Sequence, residues 1–577
     1  MKDIKNAFGK NEHARDPEDE SSETSSETAQ GGSLSRRALL KGGGVAVAVA
    51  GTGGLMTPEA AHAIQSNASS NGERRRREAA RVRERAARSY LKGRLPRQLD
   101  NGDEGRFFDY RASFFKTLPQ NDLGEVDRHA YEDFLKALAT GRQRDFNAVP
   151  LDPASVRKLA NPQGAYAFEM TGLDGQSTRI PRAPKFVSQT MAAEMAEVYW
   201  QALTRDVPFR DYGSSTAINN AVSDLNAFSK TVGPKVRGQV TPGTLFRGET
   251  PGDLIGPYIS QFLWLDVPYG PSTIVQRYDP PVPGDDYGID YNEWLNIQRG
   301  GPSSGNNFAG TPIYIKDNRG LGEYVHTDYL FQAYLNAALI MFRFGPDALS
   351  PTNPYKDSAN QGAFVTFGPP AIGDLVTKAA RVSLTGAWYQ KWLVHRRLRP
   401  EVFAGRIENQ MNGTRKYRVN DQIIHSDAVA RLRRANGNSL LPLAFPEGSP
   451  THPSYPAGHA TIAGACCTIL KAFFNEHYVI PSPVEATADG TGLDPWGGQA
   501  LTLGNEINKL ANNISIGRDA AGVHYRSDGI DGITGGEQQA IGMLQDYSTT
   551  YNEHFDGFTF TRFDGTTITI RNGRVRT

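Results

Sequence analysis

Cysteine is nearly absent from the sequence: the only two, Cys466 and Cys467, are adjacent. Neighbouring residues sit about 3.8 Å apart at Cα, short of the roughly 4.4–6.8 Å that an ordinary disulfide spans, so no disulfide framework holds this fold. The same scarcity excludes cysteine-rich zinc and iron–sulfur centres. An excess of charge of either sign is also missing. With 63 basic and 62 acidic side chains the formal charge is +1, which by charge alone predicts neither nucleic-acid nor anionic-membrane binding. There is no internal repeat. What is abundant is backbone punctuation: 60 glycines and 35 prolines make about a sixth of the 577 residues, above the roughly 12% of ordinary usage, which predicts long loops between buried elements. The length permits a large core, in more than one unit or in one unusually large domain.

Residues 1–63 read as a leader. The first 35 are polar and rich in Ser and Glu, without apolar periodicity. Ser35-Arg36-Arg37-Ala38-Leu39-Leu40-Lys41 then precedes the mildly apolar run Gly42 to Leu55 and the small-residue site Ala61-His62-Ala63. That run is too short and glycine-rich for a stable spanning helix, and the whole resembles a twin-arginine signal cleaved after Ala63. It predicts export to the periplasm or exterior, with no membrane attachment once the signal is removed. Residues 64–104 follow as a basic helical arm. Within it, Glu73 to Arg88 interleaves eight Arg and three Glu with Ala, a helix of about +5 if solvated. No aromatic residue interleaves there as a single-strand binder needs, so the arm reads as a surface element that packs on the body or on another subunit.

The body, residues 105–577, carries helical apolar spacing in several places. Thr190 to Thr204 puts Met191, Met195, Val198, Tyr199 and Ala202 on one face, and Asp328 to Phe342 does the same with Leu330, Tyr334, Ala337, Ala338 and Met341. A third helix is predicted over 372–398. A fourth, over 460–474, has Ile462, Cys466, Ile469, Leu470 and Phe473 as its stripe, which makes both cysteines small core residues. Pro/Gly-rich stretches separate these helices. Alternation over 558–563, an Asp564-Gly565 turn and the return at 567–570 predict a β-hairpin at about 556–571.

Three segments combine cations or histidines with punctuation: Lys391 to Pro400 (KWLVHRRLRP), His452 to His459 (HPSYPAGH) and Gly517 to Arg526 (GRDAAGVHYR). Lys391 and Arg399, eight apart, would point within roughly 80° of each other on a continuous helix. Pro400 disfavours helical geometry at Arg399 and places it at a helix exit. His459 and the Gly458 amide open the 460–474 helix, where free N–H groups and the dipole favour an anion. Gly522 permits a turn that lets Arg518 and His524 face one site. Singly, these residues read as surface charges, a local Arg518–Asp519 pair, or core and cap histidines. Together, three cations, an amide and two histidines suit a tetrahedral oxyanion such as phosphate or vanadate, one histidine bonding the central atom and the other moving protons. Carboxylate or sulfate would leave both histidines idle.

These residues resemble the vanadium-dependent haloperoxidases, within the superfamily that includes bacterial acid phosphatases, and most closely the algal and bacterial bromoperoxidase branch. The likeness extends to Glu194-Met195-Ala196-Glu197-Val198-Tyr199-Trp200, Arg205-Asp206-Val207-Pro208-Phe209, Leu245-Phe246-Arg247-Gly248, Gly256-Pro257-Tyr258 and Tyr291-Asn292-Glu293-Trp294. It implies a mainly α fold with a core of two four-helix bundles, long loops and the small terminal hairpin. It implies orthovanadate as cofactor, His524 as the ligand to vanadium, and Lys391, Arg399, Arg518 and the Gly458 amide on the vanadate oxygens. His459 would be the acid–base group, with Lys391 polarising bound peroxide and His452 in the extra histidine position of bromoperoxidases. Asp328 would brace the second arginine, and Trp388 would lie near the halide side.

The implied reaction oxidises bromide or iodide with hydrogen peroxide to hypohalous acid, which halogenates small organic acceptors. Homo-oligomers and, in some relatives, a structural calcium also belong to the resemblance; no calcium ligands can be located in this sequence. Ala457 departs from the family, which usually has serine there, and removes one hydrogen bond to vanadate, about 1.5–3 kcal/mol for a charged acceptor. Two other functions fit the same residues: a histidine-type acid phosphatase using the cage, and a non-catalytic secreted homologue.

Overall fold

Two helices can lie backbone against backbone only where one of them lacks side chains, and the centre of this computed structural model is such a contact. The structure describes residues 58–577, with side chains from residue 71. Gly458–Phe473 is apolar on nearly every face and buried throughout except at His459, as a helix surrounded by others must be. It packs on Arg526–Tyr547, a glycine-rich helix. A Cβ on Gly536 would stand 1.8 Å from the Thr461 carbonyl oxygen, and one on Gly464 would stand 2.0 Å from that of Ile533. Contacts at 457/532 and 461/536 step up together, so the helices run in the same direction. Their first turns meet where the Ala457 amide donates to the Asp528 carbonyl at 2.9 Å, which brings two positive helix ends to one place.

Pro369–Tyr389 and Leu503–Ala520 complete this four-helix bundle. A second group, Gln189–Leu203, Thr216–Ala227 and Asp427–Asn436 with the short Asp421–Ile424, packs beside it. Strands are few and peripheral. The expected mainly helical core and long loops are therefore present, and Cys466 and Cys467 lie fully buried in it. Among the described residues no helix is long and apolar enough to cross a membrane. The basic arm is the latter part of a helix, Pro58–Lys92, with its arginines exposed. The twin-arginine segment, within residues 1–57, lies outside the described residues.

Three expectations need correction. The 372–398 segment is not one helix. It runs from Pro369 to Tyr389, loosens into a π-helical turn over Gln390–His395 and stops at Arg396, whose φ is 41°. Arg399 is extended and stands before Pro400, the first residue of Pro400–Met411, so it lies at a helix entrance, not an exit. Proline forbids the helical form to its predecessor yet suits a first turn itself. The helix expected from Asp328 begins only at Gln332, which leaves Asp328 and Tyr329 in a loop. The terminal hairpin, Phe558–Thr561 with Thr567–Arg571, gains a third strand, Arg574–Arg576, paired Thr569 to Arg576. The turn into it is Asn572-Gly573, both at positive φ, a strong two-residue hairpin signal.

Replacing Gly536 by alanine puts a methyl group inside the Thr461 carbonyl and forces the two central helices apart. The expected cost is about 3 kcal/mol of unfolding free energy, read as a lower urea midpoint.

Candidate active site

Each of the three chemistry-bearing segments ends at the meeting point of those positive helix ends. Lys391 projects from the π turn and is fully buried, its Nζ donating to the carbonyls of Pro453 at 2.7 Å and Ser454 at 2.9 Å. Those carbonyls belong to the Pro-rich loop, which a second buried lysine holds from behind. Lys116 donates to Glu401 Oε1 at 2.9 Å and to the carbonyls of Glu447 and Ser449, while Glu401 Oε2 accepts the Ser449 amide. Arg399 Nε and Nη2 donate to the His452 carbonyl, and Nη2 also faces His452 Nδ1 at 3.0 Å. Its Nη1 donates to the Val523 carbonyl at 2.7 Å and lies 2.9 Å from His524 Nε2.

Arg518 leaves the last turn of Leu503–Ala520. After that helix the chain reverses at Gly522, whose φ of 80° is open to glycine, and delivers His524 to the arginine's side. Six residues apart, the two would stand about 120° apart on one continuous helix, and the turn removes that separation. His524 Nδ1 is 2.9 Å from Asp528 Oδ2. A carboxylate only accepts and a guanidinium only donates, so Nδ1 carries the proton and Nε2 presents a lone pair to the cage. His459, in the first turn of its helix, bonds Asp328 Oδ1 through Nε2 at 2.9 Å, and by the same reasoning its Nδ1 is the free base. The Trp388 ring lies 4.9 Å from that of His452, and its Nε1 donates to the Ala160 carbonyl at 3.1 Å. A Cβ on Gly458 would stand 3.5 Å from Trp388 and 4.0 Å from Lys391 Cε, so bare backbone walls the cage there. Ala457 is the N-cap of that helix and makes no side-chain hydrogen bond.

The electrostatics show what the cage is built for. Every hydrogen-bond partner of Lys391, Arg399 and Arg518 is a carbonyl oxygen or an imidazole nitrogen. Burial, then Arg399 and Arg518, holds Lys391 well below the usual lysine range. Burial likewise brings Arg399 down to about 9 and Arg518 to about 10. His524 is pushed well below the imidazole range by burial and then by Arg399, Lys391, Arg518 and His459, so it is neutral and able to ligate. Burial, Lys391 and Arg399 lower His452 in the same way, and burial lowers His459 despite Asp328. Burial would raise the Asp328 carboxyl, but His459 and Arg518 outweigh it and hold it low. Arg518 Nε is buried without a partner. Three converging buried cations, an orphaned donor and a neutral lone pair fit a tetrahedral oxyanion with an oxophilic centre; vanadate meets each requirement. Among the described residues no group of three or more His, Cys, Asp or Glu side chains is arranged to hold a metal ion.

The structure thus gathers the sequence-named residues, except that Asp328, expected to brace the second arginine, bonds His459 while Arg518 turns to the Val325 carbonyl, and it adds others. Asp528, which fixes the His524 tautomer, also accepts from Arg397 Nη1 at 2.6 Å and from Ser454 Oγ, and Arg397 in turn pairs with Glu194 at 2.9 Å. Asp528 stands at the third position of Arg526–Tyr547, where an acidic side chain turns back to the Tyr525 amide before the helix, and that position was a readable signal. The division of labour among Arg396, Arg397 and Arg399 was not: they go to Glu104, to Asp528 and Glu194, and to His524. Arg518 does not pair with Asp519; burial pushes the Asp519 carboxyl well up.

Residues 376–553 match the family model for the VCPO second helical-bundle domain. The chain is 34% identical over 555 residues to a vanadium-dependent bromoperoxidase of Corallina officinalis, covering 82% of this chain and 92% of the relative. It is 35% identical over 502 residues to one of Ascophyllum nodosum, covering 82% and 88%. The solved homohexameric structure of the second vanadate-dependent bromoperoxidase from Ascophyllum nodosum superposes with a TM-score of 0.83 at 29% identity, over 93% of this chain and 96% of the other.

Removing the carboxylate behind the ligand histidine frees its tautomer and its ring. Asp528→Asn should weaken orthovanadate binding roughly ten- to hundredfold, as measured by calorimetric titration.

Proposed function

The chain belongs to the vanadium-dependent haloperoxidase family, and we propose from this premise how its side chains carry out the reaction. It is a vanadate-dependent peroxidase that oxidises bromide or iodide with hydrogen peroxide to hypohalous acid. The observation that carries the assignment of the site is His524 Nε2, neutral, buried and 2.9 Å from Arg399 Nη1 inside the cationic cage.

Bound vanadate supplies a Lewis-acid centre that activates peroxide for attack by halide. Around it, His524 offers the Nε2 lone pair, and Asp528 keeps that nitrogen unprotonated by holding the proton on Nδ1. Lys391, Arg399, Arg518 and the Gly458 amide would hold its oxygens and offset their negative charge. His459 accepts a proton from peroxide at Nδ1, and Asp328 compensates the imidazolium formed. Peroxide, halide and one proton give hypohalous acid and water, so His459 returns the peroxide proton to the departing oxygen and one further proton comes from solvent. His452, its Nδ1 occupied by Arg399 and its ring against Trp388, fixes the wall on the aromatic side.

Small organic acceptors then trap the hypohalous acid. The Arg36-Arg37 signal supports export by the twin-arginine route to the periplasm or exterior, and the hexameric relative supports a homo-oligomer. Ala457 supplies neither the helix cap nor the hydroxyl donor that serine would, so the cage grips vanadate with one bond fewer.

Protein stripped of vanadium and reloaded with orthovanadate should brominate an acceptor only when peroxide and bromide are both present, and His524→Ala should abolish this. Phosphate-ester turnover without vanadium, or no turnover at all, would overturn the reading. Ala457→Ser should tighten vanadate retention roughly ten- to hundredfold, seen as slower loss of activity on dialysis.

A further inference from the structure

Arg518 is the cage cation least fixed by its own bonds. Its Nη1 donates to the Val325 carbonyl at 2.6 Å, its Nε has no partner, and its guanidinium carbon rests 5.3 Å from the centre of the Phe445 ring. Both supports lead to one side chain that the mechanism does not use. His326 follows Val325 in the chain, and its ring stacks on Phe445 with centroids 3.8 Å apart and planes 5° from parallel. Its two nitrogens reach two carboxylates on different segments, Nδ1 to Oε2 of Glu323 in the helix Asn318–Tyr324 at 3.2 Å and Nε2 to Oε1 of Glu447 in the Pro-rich loop at 3.0 Å. Carboxylates only accept, so both nitrogens carry protons and the ring is a cation. Burial opposes that charge, but the two carboxylates prevail and raise His326 to about 9, while His326 draws Glu447 down to about 2 against its own burial. The Glu447 carbonyl is held in turn by Lys116. Two residues on from His326, Asp328 meets His459.

We propose that His326 is a positioning residue for the oxyanion cage: as an imidazolium it clasps the end of the helix Asn318–Tyr324 and the 325–328 loop after it to the Phe445–Glu447 segment, and so holds the carbonyl and the ring that aim Arg518. This rests on the vanadate reading of the cage. The clasp acts on ligand affinity and does not touch the reacting atoms.

The test is calorimetric titration of the full chain with orthovanadate and, separately, orthophosphate, alongside peroxide-dependent bromide oxidation. His326→Phe keeps the stack and loses both ion pairs; it should bind both anions roughly ten- to hundredfold more weakly. His326→Arg, a planar cation that can stack and reach both carboxylates, should recover most of that loss. A merely space-filling role would leave the phenylalanine variant close to wild type and gain nothing from arginine. Either result, in protein that unfolds cooperatively, overturns the proposal. If His326→Phe does not fold, Glu447→Gln removes one arm of the clasp and must weaken both anions; wild-type affinity there also overturns it. Wild-type protein that binds both anions but oxidises no bromide defeats the haloperoxidase reading and leaves the clasp standing. Active wild type with an unaffected phenylalanine variant defeats only the clasp.

Discussion

Three buried cations converge with no carboxylate among them, and the rest of the molecule is arranged around that uncompensated charge. Taking a charge out of water is expensive unless something of opposite sign comes with it. Here the compensation within the chain is partial and comes from dipoles: carbonyls of the Pro453–Ser454 loop for Lys391, of His452 and Val523 for Arg399, and of Val325 for Arg518. The positive ends of two helices add to the excess. The balance is left for a bound anion, and this is why the histidine at the centre is neutral and can act as a ligand.

Full negative charges are present but stand one layer out. Asp528 lies behind His524, Asp328 behind His459, and Glu447 and Glu323 around His326. Each carboxylate bonds a ring nitrogen, and none of them bonds Lys391, Arg399 or Arg518. Moving any of them inward would neutralise the cage and compete with its ligand. The buried Lys116–Glu401 pair and the Arg397–Glu194 pair form a further layer that ties loops and helices to this shell. Polarity thus alternates outward from the site, cation, anion, cation, and each layer is made bearable by the next.

The glycines of the central helix pair serve the same end. Because Gly464 and Gly536 admit backbone contact, the first turns of Gly458–Phe473 and Arg526–Tyr547 start side by side. His459 and His524 come from those starts, so the close approach of two helices sets the separation of acid–base group and ligand. Ala457 sits at the same junction, fully buried; the packing is intact although the hydroxyl expected there is missing.

Much of this was legible in one dimension. Periodicity marks the helices, punctuation marks their starts, and the three short segments carry every cage residue, because residue type and distance from a helix end are local properties. The terminal third strand was legible too, in Asn572-Gly573. Other features were not. Lys391 and Arg399 share a site not through helical phase but because a π turn and a left-handed Arg396 re-aim the chain, which only packing can stabilise against the regular helix. Asp328, His326 and Lys116 come from distant loops whose partners no spacing reveals. Sequence by itself determined which groups could form an oxyanion site. The tertiary structure decided which arginine enters the cage, which nitrogen of His524 is unprotonated and where the counter-charges stand, since these depend on burial and on contacts between residues far apart in the chain.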